Sequence, residues 1–389
     1  MPIIKSDEIP LSLYVHLPWC EKKCPYCDFN SHTHYHESFF EEYINLLILE
    51  LETFRSLVSK RGISTIYFGG GTPNLFPLDL IKRLLDEVRE NVKIENDVEI
   101  TFEMNPGASE LAKTSRSYLI GLKKSGVNRV SVGVQSFNNE CLKAIGRAHD
   151  SEDIYSFLTE LFAVFTNVNI DLMFGLPGQT REMLENDLRS LSVFSPSHVS
   201  YYQLTIEPNT LFFTKRPSLP SEDAIWCMQS LIQNFLILDY HKYEISAYKK
   251  NNSFCQHNLN YWRFGDYIGI GAGAHSKISW PNLVERRVNV SNPKLYMQKI
   301  RLKNKTHYNV KIPKGEDLLF EYILNVTRLG EGFLKSDFEI RTGLNFGNYE
   351  AKFNSAIERG LLKLCEKRFY PTELGFNYLT DLQTMFLPE

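Results

Sequence analysis

Long apolar runs, an excess of one charge sign and paired cysteine knuckles are all absent from this sequence. No stretch approaches the roughly 18–20 apolar residues that a transmembrane helix requires, and no apolar secretory segment precedes the first cysteines. The net charge is only −3, from 43 Lys and Arg against 46 Asp and Glu, so no basic surface for nucleic acid is indicated. We therefore expect a soluble, cytoplasmic protein that has no transmembrane segment and does not bind nucleic acid.

Cysteine is also scarce, with seven in 389 residues. A small, odd number without a secretory segment argues against a disulfide framework. Three of the cysteines, Cys20, Cys24 and Cys27, have the spacing CxxxCxxC and directly follow a short alternating segment at Leu11–His16. The other four cysteines are scattered singly along the chain.

This spacing predicts an iron–sulfur site. A tight loop can bring three thiolates around one face of a cubic 4Fe–4S cluster, which leaves the fourth iron open to a small molecule. Structural zinc, the alternative, usually takes four ligands from paired CxxC knuckles, and no second knuckle exists here. Cys20, Cys24 and Cys27 are therefore predicted to ligate a cluster in preference to zinc.

The fold class follows from the alternation of short β-rich segments with segments of helical periodicity. Strands are predicted at Leu11–His16, Thr65–Phe68, Val98–Glu103, Arg129–Val134, Asn169–Phe174 and His198–Thr205. Helices are predicted at Phe39–Ser59, Leu78–Asn91, Thr114–Ser125, Ile154–Phe165, Thr180–Phe194 and Glu222–Leu238. This pattern predicts an α/β fold with a parallel sheet and right-handed crossovers. Six βα units are too few to close an eight-stranded barrel, so we expect a partial (βα)6 TIM-like barrel with its active face at the carboxyl ends of the strands.

Three regions are expected along the chain: the barrel domain at 1–245, a glycine-rich segment at its edge at 246–292, and a small C-terminal domain at 293–389. In the last region, helical periodicity over Glu316–Leu329 precedes a strand–turn pattern near Leu361–Pro371. This predicts a small, mainly helical, winged-helix-like domain. Because no concentrated basic recognition helix is visible, we expect the domain to cover a cofactor cleft and not to bind DNA.

Polar or glycine-rich motifs occur at successive predicted strand ends. Gly69–Pro73 (GGGTP) follows the second strand, and no Gly-Lys-Ser/Thr follows it, so it is not a phosphate-binding P-loop. Glu103 ends the third strand, Gln135 follows the fourth with Arg147 downstream, and Asp171 lies in the fifth. Any one of these could be a capping or loop residue, but their recurrence at the same face predicts a shared binding site.

The motifs YVHLPWCxxxCPYCDF, FGGGTP, EMNPG, RVSVGVQSF, DLMFGLPGQT and YQLTIEPNT together resemble the HemN/HemW branch of the radical S-adenosylmethionine (SAM) superfamily. In that superfamily the methionine moiety of SAM chelates the open iron, and an electron from the cluster cleaves SAM to a 5′-deoxyadenosyl radical. The resemblance implies that Tyr14, Gly70 and Glu103 contact the cluster-bound SAM. It further implies that the residues matching those that hold a second SAM in the coproporphyrinogen oxidase HemN are Tyr26, Gly71, Thr72, Gln135, Arg147 and Asp171.

Three features distinguish the HemN group from the HemW group within this branch. HemN has a fourth cysteine two residues after the third, whereas this chain has Phe29 there, and HemN has a longer N-terminal arm. The chain also carries HNxxYW, whose His257, Tyr261 and Trp262 are associated in the branch with haem binding. The alternative is that His257 holds a loop and the two aromatic residues fill core. His275, in the glycine-rich stretch after this motif, is a further candidate metal or cofactor contact.

The resemblance implies a haem chaperone that binds haem and a SAM-liganded 4Fe–4S cluster and passes haem to acceptor apoproteins, respiratory haem proteins among them. No catalytic residue is assigned in this interpretation. The alternative is an oxygen-independent coproporphyrinogen III dehydrogenase, which decarboxylates two propionates to vinyl groups. The resemblance also permits a homodimer and peripheral contact with a membrane.

Overall fold

A computed structural model describes residues 3–107, 114–302 and 307–388. Its strands are β1 (Leu11–Leu17), β2 (Ile63–Gly70), β3 (Ile94–Met104), β4 (Arg129–Gln135), β5 (Val168–Phe174), β6 (His198–Gln203), β7 (His241–Lys242), β8 (Ala247–Lys249), β9 (Asp266–Ile270), β10 (His275–Trp280), β11 (Leu283–Asn289), β12 (Tyr308–Lys311), β13 (Phe333–Leu334), β14 (Leu362–Cys365) and β15 (Arg368–Pro371). Its helices are α1 (Ser38–Glu52), α2 (Arg55–Val58), α3 (Leu78–Asn91), α4 (Arg116–Lys124), α5 (Asn139–Ala144), α6 (Ser151–Phe162), α7 (Arg181–Phe194), α8 (Leu211–Thr214), α9 (Glu222–Leu236), α10 (Gln256–Trp262), α11 (Pro293–Arg301), α12 (Gly315–Val326), α13 (Lys335–Thr342), α14 (Glu350–Glu358), α15 (Glu373–Asn377) and α16 (Leu379–Thr384).

The six predicted parallel strands are confirmed, and they lie side by side in chain order from β1 to β6. Each is followed by helical segments that cover the outside of the sheet, as the βα pattern requires. Branched apolar residues on these strands, such as Val130, Val132 and Val134 of β4, are fully buried. The partial (βα)6 barrel predicted from the sequence is therefore the observed architecture, and it brings the carboxyl ends of six strands to one rim.

One predicted helix is broken in the structure. The periodicity over Phe39–Ser59 predicts a single helix, whereas α1 ends at Glu52 and α2 begins only at Arg55. The Thr53 hydroxyl donates a 2.7 Å hydrogen bond to the Glu50 carbonyl, and the Phe54 ring turns into the core. The Thr53 hydroxyl thus satisfies one of the carbonyls that have no helical partner at the end of α1, and burial of Phe54 fixes the chain between the two helices.

The sheet continues beyond both ends of the parallel set. On one side β9 pairs in parallel with β1 and leads into antiparallel β10, β11 and β12, and on the other side β8 and β7 follow β6. The glycine-rich stretch therefore supplies strands and tight turns. A Cβ on Gly269 would lie 2.1 Å from the His275 carbonyl oxygen, and one on Gly271 would lie 2.6 Å from the His16 carbonyl oxygen. Close approach of neighbouring backbones accounts for these glycines.

The C-terminal part contains a three-stranded sheet, in the order β13-β15-β14, surrounded by α12 to α16. Its core is rich in aromatic residues, with Tyr322, Phe338 and Phe353 fully buried. That core also includes Phe264 and Val284, so it is continuous with the strands beside the barrel. Within the predicted third region, α11 packs on α1 and β12 is bonded to β11, so these elements lie against the barrel body.

No helix in the three described ranges is long and apolar enough to cross a membrane.

Candidate cofactor site

The rim of the barrel encloses a cavity of about 390 Å³. Most of the predicted cluster and SAM residues line it: Cys20, Cys24, Tyr26, Cys27, Gly70, Gly71, Thr72, Glu103, Gln135, Arg147 and Asp171. These residues come from five strand ends and the intervening loops, so the fold unites groups that are distant in sequence. Tyr14, the remaining predicted SAM contact, lines a second cavity that adjoins the first.

The three cysteines stand on the loop that follows β1. The Cys20 amide donates to the His32 carbonyl at 3.0 Å, and the Cys27 amide donates to the Cys24 carbonyl at 3.1 Å, so the loop is closed on itself. Burial raises the pKa of the Cys20 thiol to about 11 and also raises that of Cys27. Bound iron would reverse this tendency, because a coordinated thiol is deprotonated.

The donor set fits a cubic cluster. In the ranges that the structure describes, no three Cys, His, Asp or Glu side chains are arranged to hold a single metal ion. A cubic cluster needs no such convergence, because each iron takes a different thiolate. Three thiols that line one open cavity would therefore suit such a cluster.

The glycine motif at the end of β2 is required by close contact with the cysteine loop. The Gly71 amide donates to the Leu17 carbonyl at 2.8 Å, and a Cβ on Gly71 would lie 2.4 Å from the Trp19 carbonyl oxygen. Gly70 has a φ of +115°, which L side chains rarely adopt. The Thr72 amide donates to the Trp19 carbonyl at 2.7 Å and so fixes the motif against the loop. Any side chain larger than hydrogen at Gly71 would displace the backbone that carries the cysteines.

Glu103 is a half-buried carboxylate that lines both cavities. Its Oε1 accepts a 2.7 Å hydrogen bond from the Tyr67 hydroxyl, and its Oε2 accepts a 3.3 Å hydrogen bond from the Gly70 amide. Burial raises the pKa of Glu103 to about 7, against the opposing effect of these hydrogen bonds. A carboxylate in this position can accept hydrogen bonds from ribose hydroxyls or from an ammonium group. Tyr67 was not identified as a site residue from the sequence, because a tyrosine inside a predicted strand belongs to no motif that indicates a binding site.

Gln135 ends β4 in a strained conformation. Its φ is 70°, a value uncommon for a residue other than glycine, and the register between β4 and β5 shifts between Gly133 and Gln135. The Gln135 Oε1 accepts a 2.9 Å hydrogen bond from the Tyr202 hydroxyl. This local irregularity directs the side chain into the cavity and holds it there, which is a common use of a bulge beside a binding site.

Arg147 connects the polar rim to the cysteine loop. Its Nη2 donates to Asn105 Oδ1 at 2.5 Å and to the Gly133 carbonyl at 2.6 Å, while its Nη1 lies 3.8 Å from the Cys24 sulfur. Asp171 is held separately, with its carboxylate accepting hydrogen bonds from the Ser131 hydroxyl and the Asn169 amide. Burial raises the pKa of Asp171.

The second cavity, of about 620 Å³, lies beside the first and shares Asp28, Phe29, Gly70 and Glu103 with it. Its other walls come from the barrel, from α10 and from the antiparallel extension of the sheet. They include Tyr14, His16, Tyr261, Trp262, Phe264, Tyr267, His275, Arg286 and Val288. Tyr261 and Trp262 of HNxxYW thus face a cavity that none of the three cysteines lines.

His257 does not line either cavity. Its ring is 1% exposed, its Nδ1 lies 2.8 Å from the Thr65 hydroxyl, and its Nε2 lies 2.8 Å from the Tyr261 hydroxyl. The ring also stacks on Tyr67 with centroids 4.9 Å apart. Glu99 of β3 accepts hydrogen bonds from the backbone amides of Gln256 and His257, and so holds the start of α10 inside the barrel. In this arrangement His257 supports Tyr261, and coordination of a metal would require one of its nitrogens to be released.

Comparison with known proteins agrees with this geometry. Residues 14–191 match the family model of the radical SAM superfamily, and residues 314–377 match that of the HemN C-terminal domain. The chain is 42% identical to heme chaperone HemW of Buchnera aphidicola from Schizaphis graminum over 382 residues, covering 97% of this chain and 98% of the relative. It is 40% identical to heme chaperone HemW of Escherichia coli over 383 residues, with 98% of this chain and 99% of the relative covered. The chain belongs to the HemW family of the radical SAM superfamily.

A more distant HemW, from Bacillus subtilis, is 32% identical over 372 residues and covers 94% of this chain and 96% of the relative. Among solved structures, the chain superimposes on the radical SAM enzyme coproporphyrinogen III oxidase (HemN) from Escherichia coli with a TM-score of 0.81. The two are 25% identical, and the match covers 98% of this chain and 90% of HemN. Membership of the radical SAM superfamily implies a 4Fe–4S cluster and SAM, and the name of the HemW relatives implies haem.

Proposed function

We propose that this protein is a haem carrier that binds a SAM-liganded 4Fe–4S cluster and haem, and passes haem to acceptor proteins in the cytoplasm. The observation that supports this most strongly is the pair of adjoining cavities at one rim of the barrel. The smaller has the thiols and polar groups suited to the cluster and SAM, while the larger combines several aromatic side chains with polar and charged groups. Identity to haem chaperones along almost the whole chain supports the same assignment.

In the first cavity, Cys20, Cys24 and Cys27 would hold the cluster, and Glu103 and Gly70 would orient SAM against its open iron. When bound, the cluster supplies the electron that cleaves SAM. The residues of the chain itself position and enclose the ligand. The Glu103 carboxylate, fixed by Tyr67, accepts hydrogen bonds.

In the second cavity, the HNxxYW motif would form part of the haem site. Tyr261 and Trp262 offer aromatic surface to a flat porphyrin, and such rings bury large apolar area in ligand sites. His257 would not contact haem itself. It would hold Tyr261 in position, because its ring is hydrogen-bonded to the Tyr261 hydroxyl. We therefore expect His257→Ala to weaken haem binding by loosening this wall.

The alternative function is oxidative decarboxylation of coproporphyrinogen III. It is favoured by the convergence of Gln135, Arg147 and Asp171, which match residues that hold a second SAM in HemN, on the cluster cavity. Against it, Phe29 occupies the position of the fourth cysteine, where its side chain is 59% exposed between the two cavities.

A direct assay separates the two functions. The cluster-reconstituted protein is incubated without oxygen with coproporphyrinogen III, SAM and a reductant, and the porphyrins are separated by chromatography. The carrier predicts no vinyl-containing product, with HemN as the positive control. Formation of protoporphyrinogen at the rate of the HemN control would reject the carrier as the main activity.

A further inference from the structure

The second cavity contains one histidine whose ring is available. His275 begins β10, lies opposite Val288 of β11, and is exposed to the cavity. Across the described ranges, no residue forms a hydrogen bond with its ring nitrogens. Two other histidines near this cavity differ, because both ring nitrogens are engaged: His16 bonds to the Tyr14 hydroxyl and the Asn30 carbonyl, and His257 bonds as described above.

We propose that His275 supplies the axial imidazole to haem iron in the second cavity. Coordination requires a ring nitrogen with an open lone pair and space for the metal beside it, and imidazole is a common haem ligand. His275 meets both requirements without rearrangement, whereas His257 would have to give up a buried hydrogen bond. This proposal rests on the proposed function, since it names the iron ligand within that haem site.

The walls around His275 suit a flat, largely apolar ligand. Trp262, Phe264, Tyr267 and Val288 line the cavity, and its volume of about 620 Å³ lies within the range of roughly 300–1,000 Å³ common for ligand pockets. Val288, paired directly across the strands from His275, places an apolar side chain next to the ligand position. The strand pair β10–β11 would thus supply both the iron ligand and part of the porphyrin contact.

The charged residues that line the cavity are the acidic Asp28 and Glu103 and the basic Lys277 and Arg286, so only the two basic residues could contact the acidic side chains of haem. Lys277 is committed elsewhere, because its ammonium donates to Asp266, the Phe264 carbonyl and Ser279. Arg286 is only partly engaged: its Nε donates to Glu321 and its Nη1 to the Tyr267 hydroxyl, while its Nη2 has no hydrogen bond to a residue in the described ranges. Arg286 therefore has a free donor for a propionate.

The test is an anaerobic titration of the cluster-reconstituted protein with ferric haem, followed by the Soret band and by magnetic circular dichroism. Wild type is compared with His275→Ala and with His241→Ala, a matched control that removes an exposed histidine from β7 at the far end of the sheet. We expect His275→Ala to bind haem at least tenfold more weakly and to lose the spectrum of histidine-ligated iron. Added imidazole should restore that spectrum in His275→Gly, and the control should behave as wild type.

Cluster iron content in each variant verifies that the fold is intact. Wild-type affinity and an unchanged spectrum in His275→Ala would overturn the assignment of His275 while leaving the haem carrier in place. Absence of saturable haem binding in wild type would instead reject the proposed function, and the His275 assignment with it.

A second comparison uses haem dimethyl ester. Arg286→Gln should weaken binding of haem but not of the ester, and equal effects on both would reject the propionate contact.

Discussion

At the scale of single residues, the cysteine loop is the part of the site that tolerates least change. Its backbone is in contact with Gly71, and its sulfurs would be the only protein ligands of the cluster. These constraints are local in sequence, since the three cysteines lie within eight positions and the glycine motif lies at the end of a strand. This is why cluster ligation could be predicted from spacing alone.

Cys24→Ala is expected to abolish the cluster, because it removes one of only three protein ligands. The measurement is the charge-transfer absorption and iron content after anaerobic reconstitution. Cys227→Ala is the matched control, since Cys227 is an exposed cysteine on α9 outside both cavities. A wild-type cluster spectrum in Cys24→Ala would contradict the assignment of the three ligands.

Glu103 leads to a prediction about pH. Burial raises its pKa to about 7, so the carboxylate is ionised above that pH and protonated below it. The ionised form is the better acceptor for SAM, so SAM should bind more weakly as the pH falls through about 7. Loss of a hydrogen bond to a charged group costs about 1.5–3 kcal/mol, so Glu103→Gln should weaken SAM binding by roughly tenfold or more.

The measurement is the equilibrium affinity for SAM of wild type and Glu103→Gln across neutral pH, in cluster-reconstituted protein without oxygen. The variant should lose the pH dependence in this window, because an amide does not titrate there. The role of Glu103 would be refuted by an identical pH profile in the two proteins.

The histidines show what the sequence could not provide at this scale. HNxxYW predicts a haem contact at His257, but the structure buries that ring between Thr65 and Tyr261, and Thr65 comes from a strand far away in sequence. Availability of a histidine depends on hydrogen-bond partners that only the tertiary fold assembles. In the sequence, only the glycine-rich stretch around His275 marked it as a candidate. That its ring is available in a cavity can be seen only in the structure.

At the scale of elements, the short helix α10 fills the inside of the barrel. Glu99 accepts hydrogen bonds from the first two amides of this helix, where a negative charge also favours the helix dipole. Glu99 and the fully buried Arg129 interact electrostatically across the interior. The HNxxYW motif of α10 could be found in the sequence, but the position of the helix inside the barrel could not. Neither Glu99 nor Arg129 forms a recognisable sequence pattern with that motif.

Glu99→Gln should therefore destabilise the protein. The change removes the charge that accepts hydrogen bonds from the two helix amides, and a hydrogen bond to a charged group contributes about 1.5–3 kcal/mol. The measurement is the free energy of unfolding by chemical denaturation, with Glu90→Gln as the matched control, since Glu90 is exposed on α3. A loss below about 1 kcal/mol would show that α10 is held by other contacts.

At the scale of the whole molecule, the barrel and the C-terminal part share a core. The parallel strands were predictable because each βα unit repeats one pattern of burial. The antiparallel extension was not, because its glycines are selected by close backbone contacts that periodicity does not report. Phe264 lies where the two parts meet: its ring packs on Tyr322 with centroids 5.3 Å apart and lies beneath the Lys277 ammonium.

Phe264→Ala should lower the free energy of unfolding by about 3–5 kcal/mol, as expected for loss of a buried aromatic ring. The loss should affect both parts of the molecule, since their core is continuous at this residue. Denaturation followed by intrinsic fluorescence and by circular dichroism measures it, with Phe213→Ala as the control because Phe213 is exposed on α8. A stability equal to that of the control variant would contradict a shared core.

The central claim is that this radical SAM protein carries haem, and an anaerobic haem titration of the cluster-reconstituted wild type tests it most directly. The account predicts saturable binding of one haem per chain, seen as a shifted Soret band while the cluster remains intact. Linear, unsaturable uptake typical of nonspecific adsorption would contradict it.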